Sequence, residues 1–356
     1  MTFPDKGPAI ARIARPSPPP QDLRVAVLAP IPALLRERGR DPRRLLAGLG
    51  LSESVLARPD HRIPFATAGA LLEACVRATG VAAFPLLVAA RFTLEDLGLL
   101  APLMRNSRTV GGALASLVRH LHINDRGAIP YVLDLGQGHV ALGYVVYRHD
   151  TPGIVHVYDL ALAVGCRIMQ SLCGSAWKPV RVALAHGKPR DPRPWRSHFG
   201  APVEFDAPHS EIVFAAHWLA KPIAAADAAN RRAVEEAALA YEADRDRIAP
   251  RVERVVHGLL MAGDAGAPRV ATLLGLHERT LRRRLRDEGT TLQALVSRAR
   301  FEIARQLLQQ TRLPVAEIAA ALHYADATAF SRAFRRMSNR SPTAWRTRFP
   351  GPDTSD

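Results

Sequence analysis

The chain has 356 residues, is 48% hydrophobic and carries a formal net charge of +15. That length exceeds what one small domain needs, and no window reaches the ~18 uninterrupted apolar residues of a membrane span. A two-domain protein with an anionic partner such as nucleic acid is therefore expected, and a membrane partner is not. Lysine occurs only at positions 6, 178, 188 and 221, so the abundance of arginine fits a coding bias as well as a function. Its distribution says more. Residues 251–356 hold 18 arginines against 10 acidic residues, net +8, over half of the excess charge.

Taken in order, residues 1–24 lack an apolar stretch of signal-peptide type, and four prolines lie between Pro16 and Pro20, which predicts a flexible leader. From Val25 to about Ala90 the pattern is helical, with short helices punctuated by Gly and Pro and a periodic helix over "PFATAGALLEACVRATG" that ends in a glycine cap. "IPYVLDLG" and "HVALGYVVYR" predict a strand pair turning at Gln137-Gly138. "GIVHVYDLALAVGCRIMQSLCG" predicts a buried helix, and "PVRVALAH", "VEFDA" and "EIVFAA" further short strands. Residues 25–222 therefore form an α+β domain. Alanine-rich residues 223–249 predict a helical linker, residues 250–349 an all-α domain, and 350–356 a tail. Cys75, Cys166 and Cys173 form no CxxC pattern and predict buried thiols in a reducing cytoplasm, with nothing cationic adjoining Cys173.

The all-α region contains a duplication. "RVATLLGLHERTLRRRLRDEG" and "PVAEIAAALHYADATAFSRAFRRM" share one plan, and Val270, Ala271, Leu274 and Leu276 correspond to Ile318, Ala319, Leu322 and Tyr324, 48 residues later. A short helix, a tight turn and a second helix make a helix-turn-helix unit, so 267–288 and 315–337 are two such units. On the second helices Leu281 and Leu285, or Phe330 and Phe334, face inward. Arg279, Arg282, Arg283 and Arg286 fall at i, i+3, i+4 and i+7 on another face, and Thr328, Ser331, Arg332 and Arg335 repeat that stripe. A coding bias gives no reason for the recurrence.

Arginine's planar fork can bond guanine O6 and N7 together, and Thr or Ser can meet thymine methyls or bond bases. Arg279, Arg282, Arg283, Thr328, Ser331 and Arg332 are accordingly the candidate base readers. Arg284, Arg286, Arg335 and Arg336 are the candidate phosphate contacts, which position without reading. Between the units, residues 290–311 predict one helix of about 20 residues, roughly 30 Å long. That approaches one turn of B-DNA, about 34 Å, so one monomer could reach successive major grooves.

These residues resemble the AraC/XylS family of bacterial transcription regulators. The marks are "LGLHERTLRRRL", "RARFEIARQLL" and "VAEIAAALHYADATAFSRAFRRMSNRSPTAWR", the last with Phe-x-Arg-x-Phe and a closing Ser-Pro-x-x-aromatic-Arg. His323 stands where the family usually has glycine, and Ala325 replaces a frequent capping serine, leaving Asp326 as the candidate cap. The N-terminal region differs from the family's sugar-binding cupin barrel. It is similar instead to the effector domain labelled arabinose-binding-type, through "LLAGLGLSESVLARPDHRIP" and "APVEFDAPHSEIVFAAHWLAKPIAAAD". The resemblance implies a cytoplasmic, nucleoid-associated, homodimeric regulator whose partners are double-stranded promoter DNA, a small-molecule effector and RNA polymerase.

Catalytic chemistry finds no foothold: Gly-x-Ser-x-Gly, a Walker loop, Gly-x-Gly-x-x-Gly after a strand and HExxH are absent. No catalytic residue, metal or cofactor is expected. "RHLHIND" offers His120 and His122 without an evident third ligand, and reads first as a solvated helix end. The candidate effector contacts are Arg119 and His122 for an anion, and Tyr144 and Trp177 as pocket aromatics. Tyr144 shares a strand face with Val140, Leu142 and Val146, and Tyr147 points the other way. A DNA-tethered enzyme and a sequence-indifferent architectural protein are the alternatives, and neither explains the paired stripes.

Overall fold

The computed structural model describes residues 21–146, 151–223, 230, 233, 248–261, 266–274, 276–310 and 313–348. Two hydrophobic cores form, one running from Leu23 to Phe214 and one from Ile248 to Phe334. The first belongs to an α+β domain, the second to an all-α domain. Among the described residues no single helix is long and apolar enough to cross a membrane.

The N-terminal domain opens with strand β1 (Asp22–Arg24), which pairs antiparallel with β2 (Arg62–Pro64). Two expectations give way here. The expected leader loses its last residues to β1, while residues 1–20 lie outside the described ones, and the helical stretch after Val25 is broken by β2. Between the strands run α1 (Ile31–Arg36), α2 (Pro42–Ala47) and α3 (Glu53–Leu56). Then come α4 (Phe65–Thr79), closed by left-handed Gly80 at φ 69°, α5 (Phe84–Ala90), α6 (Leu100–Arg105) and α7 (Val110–His120). His120 and His122 at the end of α7 are buried, at 4% and 6% exposure, not solvated as the sequence suggested.

The hairpin β3 (Ala128–Gly136) and β4 (His139–Val146) turns at Gln137-Gly138, both left-handed. After α8 (Ile154–Cys173) come β5 (Arg181–Ala183), α9 (Arg193–Phe199), β6 (Val203–Glu204) and β7 (Glu211–Ala215). They complete a five-stranded sheet of order β3-β4-β7-β5-β6, antiparallel except for β5 with β6. Alternation along the strands separates two faces. Val132, Leu142 and Ile212 form one cross-strand row on the face that α8 covers. Tyr131, Gly143 and Glu211 form the next row, on the opposite face. There the Tyr131 hydroxyl donates to Glu211 at 3.1 Å by lying across Gly143, where a Cβ would stand 2.0 Å from its ring. Glycine is required by that close approach.

All three cysteines are buried free thiols. Lys221, 48 residues away in sequence, donates its ammonium to the Cys173 carbonyl, so a cation does adjoin that residue in space. Burial nonetheless pushes the thiols up, Cys75 to about 12 and Cys173 to about 11, which leaves them unreactive.

The expected linker at 223–249 lies almost wholly outside the described residues. The C-terminal domain begins with α10 (Ile248–Met261), continues through α11 (Ala267–Leu273) and α12 (Glu278–Asp287), and crosses the long α13 (Leu292–Gln310) to α14 (Val315–Ala321), α15 (Ala327–Ser338) and α16 (Pro342–Arg348). Helix α10 packs along α13 and also lies against β3, while Val145 of β4 packs on the C-terminal core. The sheet therefore touches both the N-terminal core and the helical domain.

Candidate nucleic-acid interface and effector cavity

Each helix-turn-helix unit is held by the same local device. In the first, the Leu276 amide donates to the Ala271 carbonyl at 2.9 Å; in the second, Tyr324 donates to Ala319 at 2.9 Å. Ala271 and Ala319 are both buried, so a small side chain lies where the paired helices cross. The second turn passes through His323 at φ 55°, a left-handed conformation that histidine adopts at modest cost. Asp326 then caps α15, its carboxylate accepting from the Ala329 amide at 2.7 Å, as the missing serine suggested. Position 275, where the first unit has glycine, lies outside the described residues.

Helices α12 and α15 bury Leu281 with Leu285 and Phe330 with Phe334. Arg279 and Thr328 are each the second residue of their helix, so the positions 3, 4 and 7 residues on coincide in both units. In the first unit Arg279, Arg282, Arg283, Arg284 and Arg286 are all exposed; in the second Thr328, Arg332, Arg335 and Arg336 are exposed and Ser331 is half-buried. Arg282 pairs with Glu278 at 2.9 Å, one turn earlier. Such a surface pair contributes a few tenths of a kcal/mol, little against a bidentate base contact at ~1–3 kcal/mol.

The 19-residue α13 spans about 28 Å and buries Leu295, Ala299, Ile303, Ala304, Leu307 and Leu308. The closing Ser-Pro-x-x-aromatic-Arg segment ties the second unit to it. Ser341 accepts from the Ala344 amide at 3.1 Å, opening α16. Trp345 stacks edge-on against Phe334 and Phe301, with ring centroids 5.8 and 6.5 Å away. Arg346 donates to the Leu308 carbonyl in the last turn of α13 and to the Leu313 carbonyl just before α14. The motif that identifies the region in sequence therefore fixes the second unit to its spacer. At the other end Glu288 accepts from the Ile248 and Ala249 amides, joining the start of α10 to the end of α12.

The N-terminal domain contains a cavity of about 130 Å³ between α8, the sheet, α4 and β1. Leu72, Leu142, Val157, Leu160, Ala161 and Ile212 are among its mostly apolar lining. Polar side chains gather at one end: Arg24, Asp96, Asn124, Asp125 and Tyr144. Arg24 is committed to Asp60 at 2.6 Å, to Asn124 and to the Asp96 carbonyl at 3.3 Å. Asp125 accepts from the Gly127 amide at 2.7 Å and from the Tyr144 hydroxyl. Burial pushes the Asp125 carboxyl up to about 6, against those two hydrogen bonds, which pull it down. Among the described residues no group of three or more His, Cys, Asp or Glu is placed to hold a metal ion.

Residues 39–223 match the family model described as the arabinose-binding domain of AraC transcription regulators, N-terminal, and residues 270–348 match a helix-turn-helix domain. The chain belongs to the AraC family of transcription regulators. The HTH-type transcriptional regulator VirS of Mycobacterium tuberculosis is 27% identical over 315 residues, covering 88% of this chain and 93% of that one. The ornithine utilization regulator of Pseudomonas aeruginosa is 27% identical over 321 residues, with the same two shares. The crystal structure of the transcriptional regulator CdpR from Pseudomonas aeruginosa aligns over 90% of this chain and 98% of its own at a TM-score of 0.47 and 23% identity. This AraC-family chain is thus a helix-turn-helix, DNA-binding transcription regulator, not an enzyme.

Of the four effector contacts expected from sequence, Tyr144 lines the cavity. The other three stand elsewhere. Trp177 is buried against Phe214, its ring centroid 6.1 Å away, and does not border the cavity. Arg119 and His122 are absent from its lining, to which this stretch contributes Leu117, Leu121, Asn124 and Asp125. Arg24 and Asp125, which also border the cavity, are not among those four. Arg24 lies in the expected leader, and Asp125 closes "RHLHIND", where the two histidines are the more evident candidates. Their closeness depends on a bridge between Leu23 and Asp125, a pairing with no local sequence signal.

Proposed function

We propose that this regulator reads a specific promoter sequence through both helix-turn-helix units, one per successive major groove, under the control of a small molecule bound in the N-terminal cavity. The observation that carries this reading is the equal placement of two polar, largely exposed stripes, 279/282/283/286 and 328/331/332/335, at matching positions on two helices that each bury a pair of apolar residues on the inner face. The roughly 28 Å length of α13 supports the spacing. The base readers are Arg279, Arg282, Arg283, Thr328, Ser331 and Arg332, with Arg284, Arg286, Arg335 and Arg336 on phosphates.

Effector control is supported by the cavity and by β4, which bears on both domains. Leu142 and Tyr144 border the cavity, and Val145 packs against the helical core. A ligand pressing on β4 would shift the surface on which α10 rests, so the two domains' equilibria are coupled through one element. A relative named for ornithine utilization supports small-molecule control of metabolic genes. Homodimerisation, RNA polymerase as partner and residence at the cytoplasmic nucleoid complete the proposal.

The test is selection of bound sequences from random DNA followed by footprinting. The expected site has two conserved half-sites about 10 bp apart, on one face of the duplex. Unselective binding whose affinity collapses with salt equally on all sequences would replace this reading with that of an architectural protein.

A further inference from the structure

We propose that Glu278 determines specificity in the first unit, its carboxylate accepting from the amino group of a cytosine beside the guanine that Arg282 reads. This rests on the reading of the two stripes as base readers and adds a residue that belongs to neither. Glu278 is the first residue of α12, and the N-terminal residues of a recognition helix are the ones that reach base edges. Arg282, one turn later, donates from Nη2 to the Glu278 Oε2 at 2.9 Å. The other oxygen, Oε1, takes no hydrogen bond among the described residues, and the side chain is 40% exposed.

The two units use an acid at this end of the helix differently. In the second, Asp326 is the N-cap, its carboxylate turns back onto the Ala329 amide at 2.7 Å, and Ala327 is the first helical residue. In the first, the N-cap is His277, whose side chain makes no capping bond, and the acid stands one residue later. Its carboxylate meets the guanidinium of the stripe instead of the backbone. Among the exposed Arg279, Arg282, Arg283, Arg284 and Arg286, a negative charge weakens the general attraction to phosphate. What it adds is discrimination, because a repelled competitor is as effective as an attracted partner.

A carboxylate only accepts hydrogen bonds. It therefore suits the N4 amino group of cytosine, while thymine O4, guanine O6 and N7, and adenine N7 oppose it. Arg282 has further N–H groups beyond the one given to Glu278, and these remain for guanine O6 and N7. Pairing with Arg282 also offsets the charge of Glu278 as water leaves the groove. The two residues lie about 6 Å apart along the helix axis, less than two base-pair steps of about 3.4 Å. The ion pair thus fits the cytosine and guanine of one base pair or of two adjoining ones.

The experiment measures, by fluorescence anisotropy, the affinity of the full chain for the duplex it selects from random DNA and for every single-base variant of it. The wild type should prefer cytosine at one position of the first half-site by at least about fivefold. Glu278→Ala should bring all four bases at that position within about twofold, bind unrelated duplex at least as tightly as the wild type, and leave the second half-site unchanged. Glu278→Gln, which is isosteric, should move the preference to adenine, whose N6 and N7 a glutamine amide can bond together. Equal weakening of Glu278→Ala on all sequences, with the cytosine preference intact, would overturn the proposal and leave Glu278 a support of the helix end. A wild type that shows no cytosine preference there, yet discriminates at other positions, would overturn the role of Glu278 alone. Loss of discrimination at every position of both half-sites would overturn it together with base reading by the stripes.

Discussion

Asp125 carries a stability penalty that its surroundings do not remove. Its carboxyl is raised from 3.8 to about 6, so the folded state binds the proton more tightly than the unfolded chain. Stability from this group is therefore full below about pH 4 and is lost as pH rises from 4 to 6. Two units correspond to about 3 kcal/mol at neutral pH. Asp125→Asn, which is isosteric and keeps a partner for the Tyr144 hydroxyl, is expected to stabilise the protein by that order in urea melts at pH 7, and by almost nothing at pH 4. His323 is a smaller case: the sequence showed a histidine in place of glycine, and the backbone does adopt φ 55° there. Asp326, which caps the helix after that turn, was legible because a single short-range hydrogen bond decides a cap.

Helices and strands were legible in proportion to how locally their pattern is written. The β3–β4 hairpin and α8 follow from alternation and from a long apolar run, and the two recognition helices from a 3.6-residue period repeated 49 residues apart. Strands β1 and β2 left no trace, because three residues cannot show a period and the strands are separated by the 37 residues 25–61 of helix and loop. The polar end of the cavity is built on another long-range pairing, the bridge between Leu23 and Asp125, which leaves no local signal at Arg24 or Asp125. At the C-terminus the Phe301, Phe330, Phe334 and Trp345 rings form one cluster, with Phe334 5.0 Å from Phe301 and 5.8 Å from both Phe330 and Trp345. Phe334→Ala should cost about 3–5 kcal/mol, because a buried ring is lost where the spacer helix, α15 and α16 meet. Chemical denaturation followed by circular dichroism measures it, and a loss below 1 kcal/mol would mean that the cluster does not hold the second unit.

Across the whole molecule the coupling element is β4. Val145→Ala trims a side chain on the helical-domain face without touching the cavity face. It should leave ligand affinity in the absence of DNA unchanged and reduce the ligand's effect on DNA affinity several-fold, as titrations with and without promoter DNA would show. The central claim is that the paired stripes read bases. It is tested most directly by measuring the affinity of Arg283→Ala, Arg332→Ala and Arg284→Ala for every single-base variant of the selected site. The account predicts that Arg283→Ala loses discrimination, ~1–3 kcal/mol, at positions in one half-site and Arg332→Ala in the other. Arg284→Ala should instead weaken all sequences alike and lower the salt slope by about 1. Uniform weakening by all three variants, with discrimination intact at every position, would contradict it.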